Sequence, residues 1–230
     1  GVIGAGTMGG GIAMAFANAN IPVMILDMNR EALDHGLSRL RENYNRSVKR
    51  GHMTIGQLEE RMASIHGTIR YDDFADCDLI IEAAIENMDI KELIFKKLDR
   101  VAKAGAILAS NTSYLDINHL AKATERPHDI LGLHFFSPAN IMKLLEIVNC
   151  AQTAPDVLAT VLHLAKTIGK IGVVSGVCHG FIGNRMLSCY GREANLSVMV
   201  GARPAQVDSA LSSFGMAMWP LSVADTAGLD

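Results

Sequence analysis

Three glycines at fixed spacing, Gly4, Gly6 and Gly9, constrain this chain more than any other feature. The apolar pair Val2-Ile3 runs straight into G-x-G-x-x-G, and an alanine-rich helical stretch, Ile12 to Ala19, follows. Strand, tight turn and helix in that order are the context that a dinucleotide fingerprint requires. Gly4 permits the turn, Gly6 lets backbone approach a pyrophosphate, and Gly9 lets the helix pack close on the strand. Thr7 and Met8 sit between the last two glycines, at the point where a helix N-terminus offers unpaired N–H groups and a partial positive charge to phosphate.

A second element answers the first. Ile21-Pro22-Val23-Met24-Ile25-Leu26 reads as the next strand and ends in Asp27. An acid there accepts hydrogen bonds from both ribose hydroxyls of NAD and repels the 2′-phosphate of NADP. Read more plainly, Asp27 caps the next helix of an ordinary βαβ unit. The three glycines, the strand and the acid together favour NAD.

With 230 residues, 49% apolar and 20% charged, the chain has enough apolar sequence for a sizeable core and is not of disordered composition. A formal net charge of −3 argues against nucleic acid as a main partner, while leaving room for a local basic patch that binds a polyanionic small molecule. Cys77, Cys150, Cys178 and Cys189 form no C-x-x-C pair, so neither a metal site nor a disulfide framework is indicated. No signal peptide and no apolar run of membrane-spanning length is visible. Both ends read as internal to a longer polypeptide. Only Val2-Ile3 precede the glycine turn, where a strand usually has about five or six residues, and Ala224 to Asp230 stop inside a helical region.

After Asp27, a helix from about Arg30 to Arg50 breaks at Gly51 and resumes from Thr54 to Ser64. Thr54 and Gln57 are spaced as a capping box. This helical hairpin is longer than a minimal crossover and gathers Arg46, Lys49 and Arg50 near its tip. They form a solvated face or, more sharply, a phosphate contact for a bulky substrate. Thr68 to Tyr71 reads as a short strand, and Cys77 to Ala84 as a central parallel one buried on both faces. Glu86 follows at its carboxyl end, and Lys91 lies in the first turns of the next helix, Met88 to Ala102. Ala106 to Ala109 then delivers Ser113, and Ile130 to Leu133 delivers His134. Leu144 to Val148 returns too soon for a crossover helix, so it is antiparallel and brings Glu146 near His134. A helix, Pro155 to Ile168, and a strand, Ile171 to Ser175, complete the sheet. Beyond it the pattern is helical, from Phe181 to Val200 and Pro204 to Ser212. The expected fold is therefore α/β, a Rossmann-type doubly wound, mostly parallel sheet with a helical hairpin insertion over residues 1–177. An incomplete all-α second domain follows over 178–230.

Oxidising an alcohol with NAD requires a base for the hydroxyl proton. A histidine works near neutral pH, and a carboxylate can orient its ring and stabilise the imidazolium. His134 and Glu146 fit that pair, with Ser113 and Asn184 placed to hold the substrate oxygen. Each alone has a commonplace role, as a strand-end histidine, a surface acid, a turn residue or a helix-start hydrogen-bonder. Their convergence on one sheet edge is what points to catalysis.

The chain resembles the L-3-hydroxyacyl-CoA dehydrogenase family over its whole length, through GVIGAGTMGGGIA (1–13), IIEAAIEN (80–87), ASNTS (109–113), LHFFSPA (133–139), MKLLEIV (142–148) and GFIGNRML (180–187). The resemblance implies His134 and Glu146 as the catalytic pair, Ser113 and Asn184 as substrate contacts, and Asp27 as the adenine-ribose acid. It also implies Glu86 and Lys91 on the nicotinamide side and NAD oxidation of (3S)-3-hydroxyacyl-CoA. Ser137-Pro138-Ala139-Asn140, Ser113-Tyr114 and Ile171 to Val174 look more like the multifunctional β-oxidation proteins, in which a hydratase/isomerase domain comes first. The family further implies association through the helical domain, as a homodimer or in a multienzyme complex. The implied location is bacterial cytoplasm, or else a peroxisome or mitochondrial matrix. Two rivals are a short-chain 3-hydroxybutyryl-CoA dehydrogenase working reductively and a non-catalytic NAD-binding protein.

Overall fold

The computed structural model describes residues 1–216, 218 and 220–227. Their backbone divides into two compact units, Gly1–Phe181 and Ile182–Asp230. The first is built on eight strands: β1 (Val2–Ile3), β2 (Val23–Leu26), β3 (Ile65–Thr68), β4 (Leu79–Glu82), β5 (Ile107–Ser110), β6 (Ile130–Phe135), β7 (Leu144–Asn149) and β8 (Ile171–Gly176). They lie in the order β3-β2-β1-β4-β5-β6-β7-β8. Every pairing is parallel except β6 with β7, the short return that the spacing required.

Six helices cover the sheet: α1 (Thr7–Asn18), α2 (Arg30–Lys49), α3 (Ile55–Ala63), α4 (Met88–Val101), α5 (Ile117–Lys122) and α6 (Pro155–Thr167). Strand residues alternate between faces, and the core divides accordingly. Val2, Ile25, Ile81, Ala109 and Leu131 pack with Ile12 and Phe16 of α1, Leu33 and Leu40 of α2, and Val161 of α6. Ile3, Ile80, Leu108 and Ile130 pack on the opposite face, with Phe95 and Leu98 of α4 and Leu120 of α5. Each of these Val, Leu, Ile and Phe side chains taken fully from water contributes about 1.5–3 kcal/mol. The hairpin of α2 and α3 is present, with Gly51 at φ +74 in its turn and the Thr54–Gln57 capping box formed.

One strand differs from expectation. The segment after α3 pairs as Ile65–Thr68, in register with Val23–Leu26, rather than as Thr68 to Tyr71. Val23 N donates to Ser64 O, which starts the ladder early, and Thr68 Oγ1 donates to Asp73 in the 3-10 turn Tyr71–Phe74, which ends it. Ile69 is left half exposed.

The second unit is helical: α7 (Gly183–Met199), α8 (Pro204–Phe214) and α9 (Pro220–Ala227). Asp208 of α8 accepts from Leu221 N and from Ser222 Oγ, tying α9 to it. The expected helical run from Ala224 is helix to Ala227; Gly228 to Asp230 lie outside the described residues. Among the described residues no helix is long and apolar enough to cross a membrane, and no group of His, Cys, Asp and Glu is placed to hold a metal ion.

Candidate active site

The strand order reverses between β1 and β4, and the crevice outside the carboxyl ends of those strands is where open α/β sheets bind ligands. The glycine turn leads from β1 into α1 there. A Cβ on Gly9 would stand 1.8 Å from the Gly4 carbonyl oxygen, so only glycine lets α1 cross this close to β1. Gly4 itself has φ +100. A Cβ on Gly6 would meet no atom within 4 Å, leaving open space over the start of α1. No side chain caps that helix and its first turn carries no acid. The amides of Thr7, Met8 and Gly9 belong to its uncapped first turn and suit an anion. Asp27 Oδ2 accepts from Ala5 N at 2.7 Å and Oδ1 from Met28 N at 2.7 Å. The carboxylate thus fastens the glycine turn to the end of β2, and each oxygen keeps a second acceptor site for a ribose hydroxyl. This edge fits a dinucleotide.

His134 and Glu146 are directly opposed in the antiparallel ladder of β6 and β7. His134 Nδ1 lies 2.6 Å from Glu146 Oε2, and the two residues are 4% and 0% exposed. Phe136 and Phe181 stand against the imidazole, with ring centroids at 4.4 and 5.7 Å. Holding Nδ1–H on the carboxylate fixes the tautomer and leaves Nε2 as the basic nitrogen. On the neighbouring strand, Asn111 Oδ1 accepts from Phe135 N at 2.8 Å, locking the end of β5 to the end of β6. β5 and β6 pair at Ser110 and Gly132, so the Ser113 turn and His134 leave adjacent strand ends.

Glu86 holds that turn. Its Oε1 accepts from Thr112 Oγ1, from Ser113 N at 2.9 Å and from Tyr114 N at 3.3 Å. Lys91 is turned inward, 1% exposed, with Nζ 3.4 Å from Glu86 Oε2 and bonded to both oxygens of Glu82. Asn184 stands half-buried in the first turn of α7, in the other unit. Sequence reasoning brought Asn111 to this edge with the run Ser110 to Ser113 but gave it no task, and it missed Glu82. The available signal was an acid ending an otherwise apolar strand and a polar run following the next.

A cleft of about 520 Å³ opens beside the glycine turn, lined by Thr7, Arg39, Arg46, Arg50, Ser137 and Asn140 among others. Arg46 and Arg50 therefore face a cavity rather than bulk solvent alone, while Lys49 is not part of the lining. Arg39, overlooked in the sequence, donates to Thr7 Oγ1 at 2.8 Å.

Fold and edge define a Rossmann-type dinucleotide-binding dehydrogenase with a histidine–carboxylate pair. The chain belongs to the 3-hydroxyacyl-CoA dehydrogenase family: residues 1–178 match its NAD binding domain and residues 180–230 its C-terminal domain. NAD is the cofactor of that domain. The chain is 42% identical to the human "Peroxisomal bifunctional enzyme" and 39% identical to the "Fatty acid oxidation complex subunit alpha" of Psychrobacter arcticus, covering all of this chain and 32% of each relative. It thus spans about a third of the length of those relatives. Among solved structures, (S)-3-hydroxybutyryl-CoA dehydrogenase PaaH1 from Ralstonia eutropha superposes with a TM-score of 0.96 at 35% identity, covering 100% of this chain and 82% of that one.

Proposed function

We propose that this chain oxidises (3S)-3-hydroxyacyl-CoA to 3-ketoacyl-CoA as the dehydrogenase portion of a multifunctional fatty-acid β-oxidation protein. The observation that carries the reading is the buried His134–Glu146 pair, fixed at opposed positions of two antiparallel strands with Nε2 free to act. In this reading His134 Nε2 takes the 3-hydroxyl proton. Glu146 holds the ring and stabilises the imidazolium that results. Ser113 Oγ, on the turn gripped by Glu86, hydrogen-bonds the reacting oxygen, a role that the family resemblance gives to Asn184 of the helical domain (residues 178–230) as well. NAD bound at the glycine turn supplies the hydride acceptor. Gly4, Gly6, Thr7, Met8 and Gly9 receive its pyrophosphate and Asp27 its adenine ribose, while Glu86 and Lys91 shape the nicotinamide end.

The cleft with Arg39, Arg46 and Arg50 supports a CoA thioester as substrate, because several phosphates need clustered guanidinium groups and a formally acidic chain has few such places. The relatives named peroxisomal, and those from bacteria, support a compartment that follows the host: peroxisomal in a eukaryote, cytoplasmic in a bacterium. Association through the helical domain, as a homodimer or in a multienzyme complex, belongs to the same proposal. The test is stereospecific turnover. (3S)-3-hydroxybutyryl-CoA with NAD should yield NADH and the (3R) epimer should not. Equal turnover of both, or none of either, would overturn the reading.

A further inference from the structure

Below the Ser113 turn, Glu82 and Lys91 form a buried ion pair to which the chemistry above assigns no task beyond Lys91's place at the nicotinamide end. Glu82 is 0% exposed and Lys91 1%. Ile80 and Leu108 face α4, and two residues further along each strand Glu82 and Ser110 face the same way. Lys91, in the first turns of α4, meets them there. Its Nζ donates to Glu82 Oε1 at 2.8 Å and Oε2 at 2.9 Å, Ser110 Oγ donates to Oε2 at 2.7 Å, and Ala84 N donates to Oε1 at 2.7 Å. Lys91 then reaches Glu86 Oε2 at 3.4 Å, and Glu86 Oε1 grips Thr112, Ser113 and Tyr114. A buried carboxylate and ammonium are costly to desolvate, and apolar residues of similar volume often serve stability better. This pair sits at the carboxyl ends of β4 and β5, beside the crevice.

We propose that Glu82 is a positioning residue for the dehydrogenase reaction: through Lys91 and Glu86 it fixes the turn that presents Ser113. The inference rests on the assignment of Ser113 to the substrate oxygen. Glu82 touches no substrate itself. It sets the place of the Lys91 ammonium, and that ammonium keeps Glu86 aimed at the amides of Ser113 and Tyr114. Remove the charge on Glu82, and Lys91 loses the anchor that fixes its place, so its pairing with Glu86 shifts and the turn loosens.

The test compares wild type, E82Q, S113A and the double variant, using amide hydrogen exchange and steady-state reduction of acetoacetyl-CoA by NADH. In E82Q the amides of residues 112–115 should exchange at least tenfold faster, with the thermal midpoint of the rest of the sheet unit kept within a few degrees. kcat should fall about tenfold or more, and adding S113A should cost little beyond S113A alone. Should E82Q fail to fold, S110A removes one charge-assisted bond from Glu82, along with the bond that Ser110 Oγ accepts from Thr112 N, and should speed exchange at 113–115, beyond that direct contact, about threefold. Unchanged exchange at that turn, or losses from E82Q and S113A that simply multiply, would overturn the proposal. A wild type that turns over no 3-ketoacyl-CoA sinks the dehydrogenase reading and the catalytic half of this one. The exchange data still decide whether Glu82 holds the turn.

Discussion

His134 Nδ1 and Glu146 Oε2 are 2.6 Å apart because β6 and β7 place the two residues directly opposite each other, on the same face of the sheet. The pair is built by register, not by a loop, so backbone hydrogen bonds on both sides fix its geometry. Replacing Glu146 by Gln keeps the shape and removes the charge that stabilises an imidazolium. E146Q should lower kcat by about 10²–10⁴, the usual contribution of a positioned acid–base group. NADH affinity, measured by fluorescence titration, should stay within about threefold, since Asp27 and the glycine turn are elsewhere on the edge. An equal loss in both would mean that Glu146 merely holds the fold.

The glycine turn gives a second expectation. A methyl on Gly9 would overlap the Gly4 carbonyl oxygen at 1.8 Å, and both atoms that would have to move are backbone or fixed to it. G9A should therefore cost about 1–3 kcal/mol of stability or more, read by urea unfolding, and should abolish measurable NADH binding. A stable variant that binds NADH normally would contradict the close crossing of α1 over β1.

Asp27 has two tasks in the structure, holding Ala5 N and offering its remaining acceptor sites to ribose. D27A should weaken NADH by about 1.5–3 kcal/mol, roughly a ten- to hundredfold rise in Kd, and should narrow the gap between NADH and NADPH. Unchanged cofactor preference in kcat/KM would remove the ribose assignment.

The basic cleft makes a prediction about substrate length rather than chemistry. R46A/R50A should raise KM for acetoacetyl-CoA about three- to tenfold, as expected for the loss of partly exposed ion pairs. Turnover of acetoacetyl-pantetheine, which lacks the nucleotide phosphates, should not change. A matching loss with both substrates would place the phosphates elsewhere.

Cys150 supplies a pH dependence. It is buried, and burial pushes its thiol up from 9.0 to about 11. The folded value lies above the unfolded one, so the neutral thiol's contribution is full below about pH 9. It is lost as pH rises towards 11, because the unfolded chain releases the proton first. Cys150→Ala should flatten the fall in urea midpoint between pH 9 and 11. At pH 8, thiol reagents should label Cys178 and Cys189, both exposed, well before Cys150.

Much of this was legible in the sequence, and the reasons are physical. The glycine spacing has a single steric meaning, which the Gly9–Gly4 contact displays. The short link between β6 and β7 excludes a crossover, so the antiparallel return and the nearness of Glu146 to His134 follow from chain length, while the direct pairing is set by register. Glu82 was hidden because an acid at the end of an apolar strand looks like the point where the strand meets water. Its burial depends on Lys91 and Ser110, which come from a helix and a strand further along the chain. Lateral partners of that kind leave no periodic trace. That the Lys91 side chain turns inward to Glu82 was hidden too, because helix position alone does not say which way a long side chain turns. The start of β3 was missed by three residues because Ile65-His66-Gly67-Thr68 lacks alternation, and the ladder with β2 decides the matter.

The central claim is that His134 is the base, and stopped-flow reduction of acetoacetyl-CoA by NADH tests it most directly, with wild type and H134Q side by side at neutral pH. Wild type should oxidise NADH in a burst or steady state dependent on acetoacetyl-CoA, and H134Q should bind NADH normally while turning over about 10²–10⁴ more slowly. Turnover by H134Q close to wild type would contradict it.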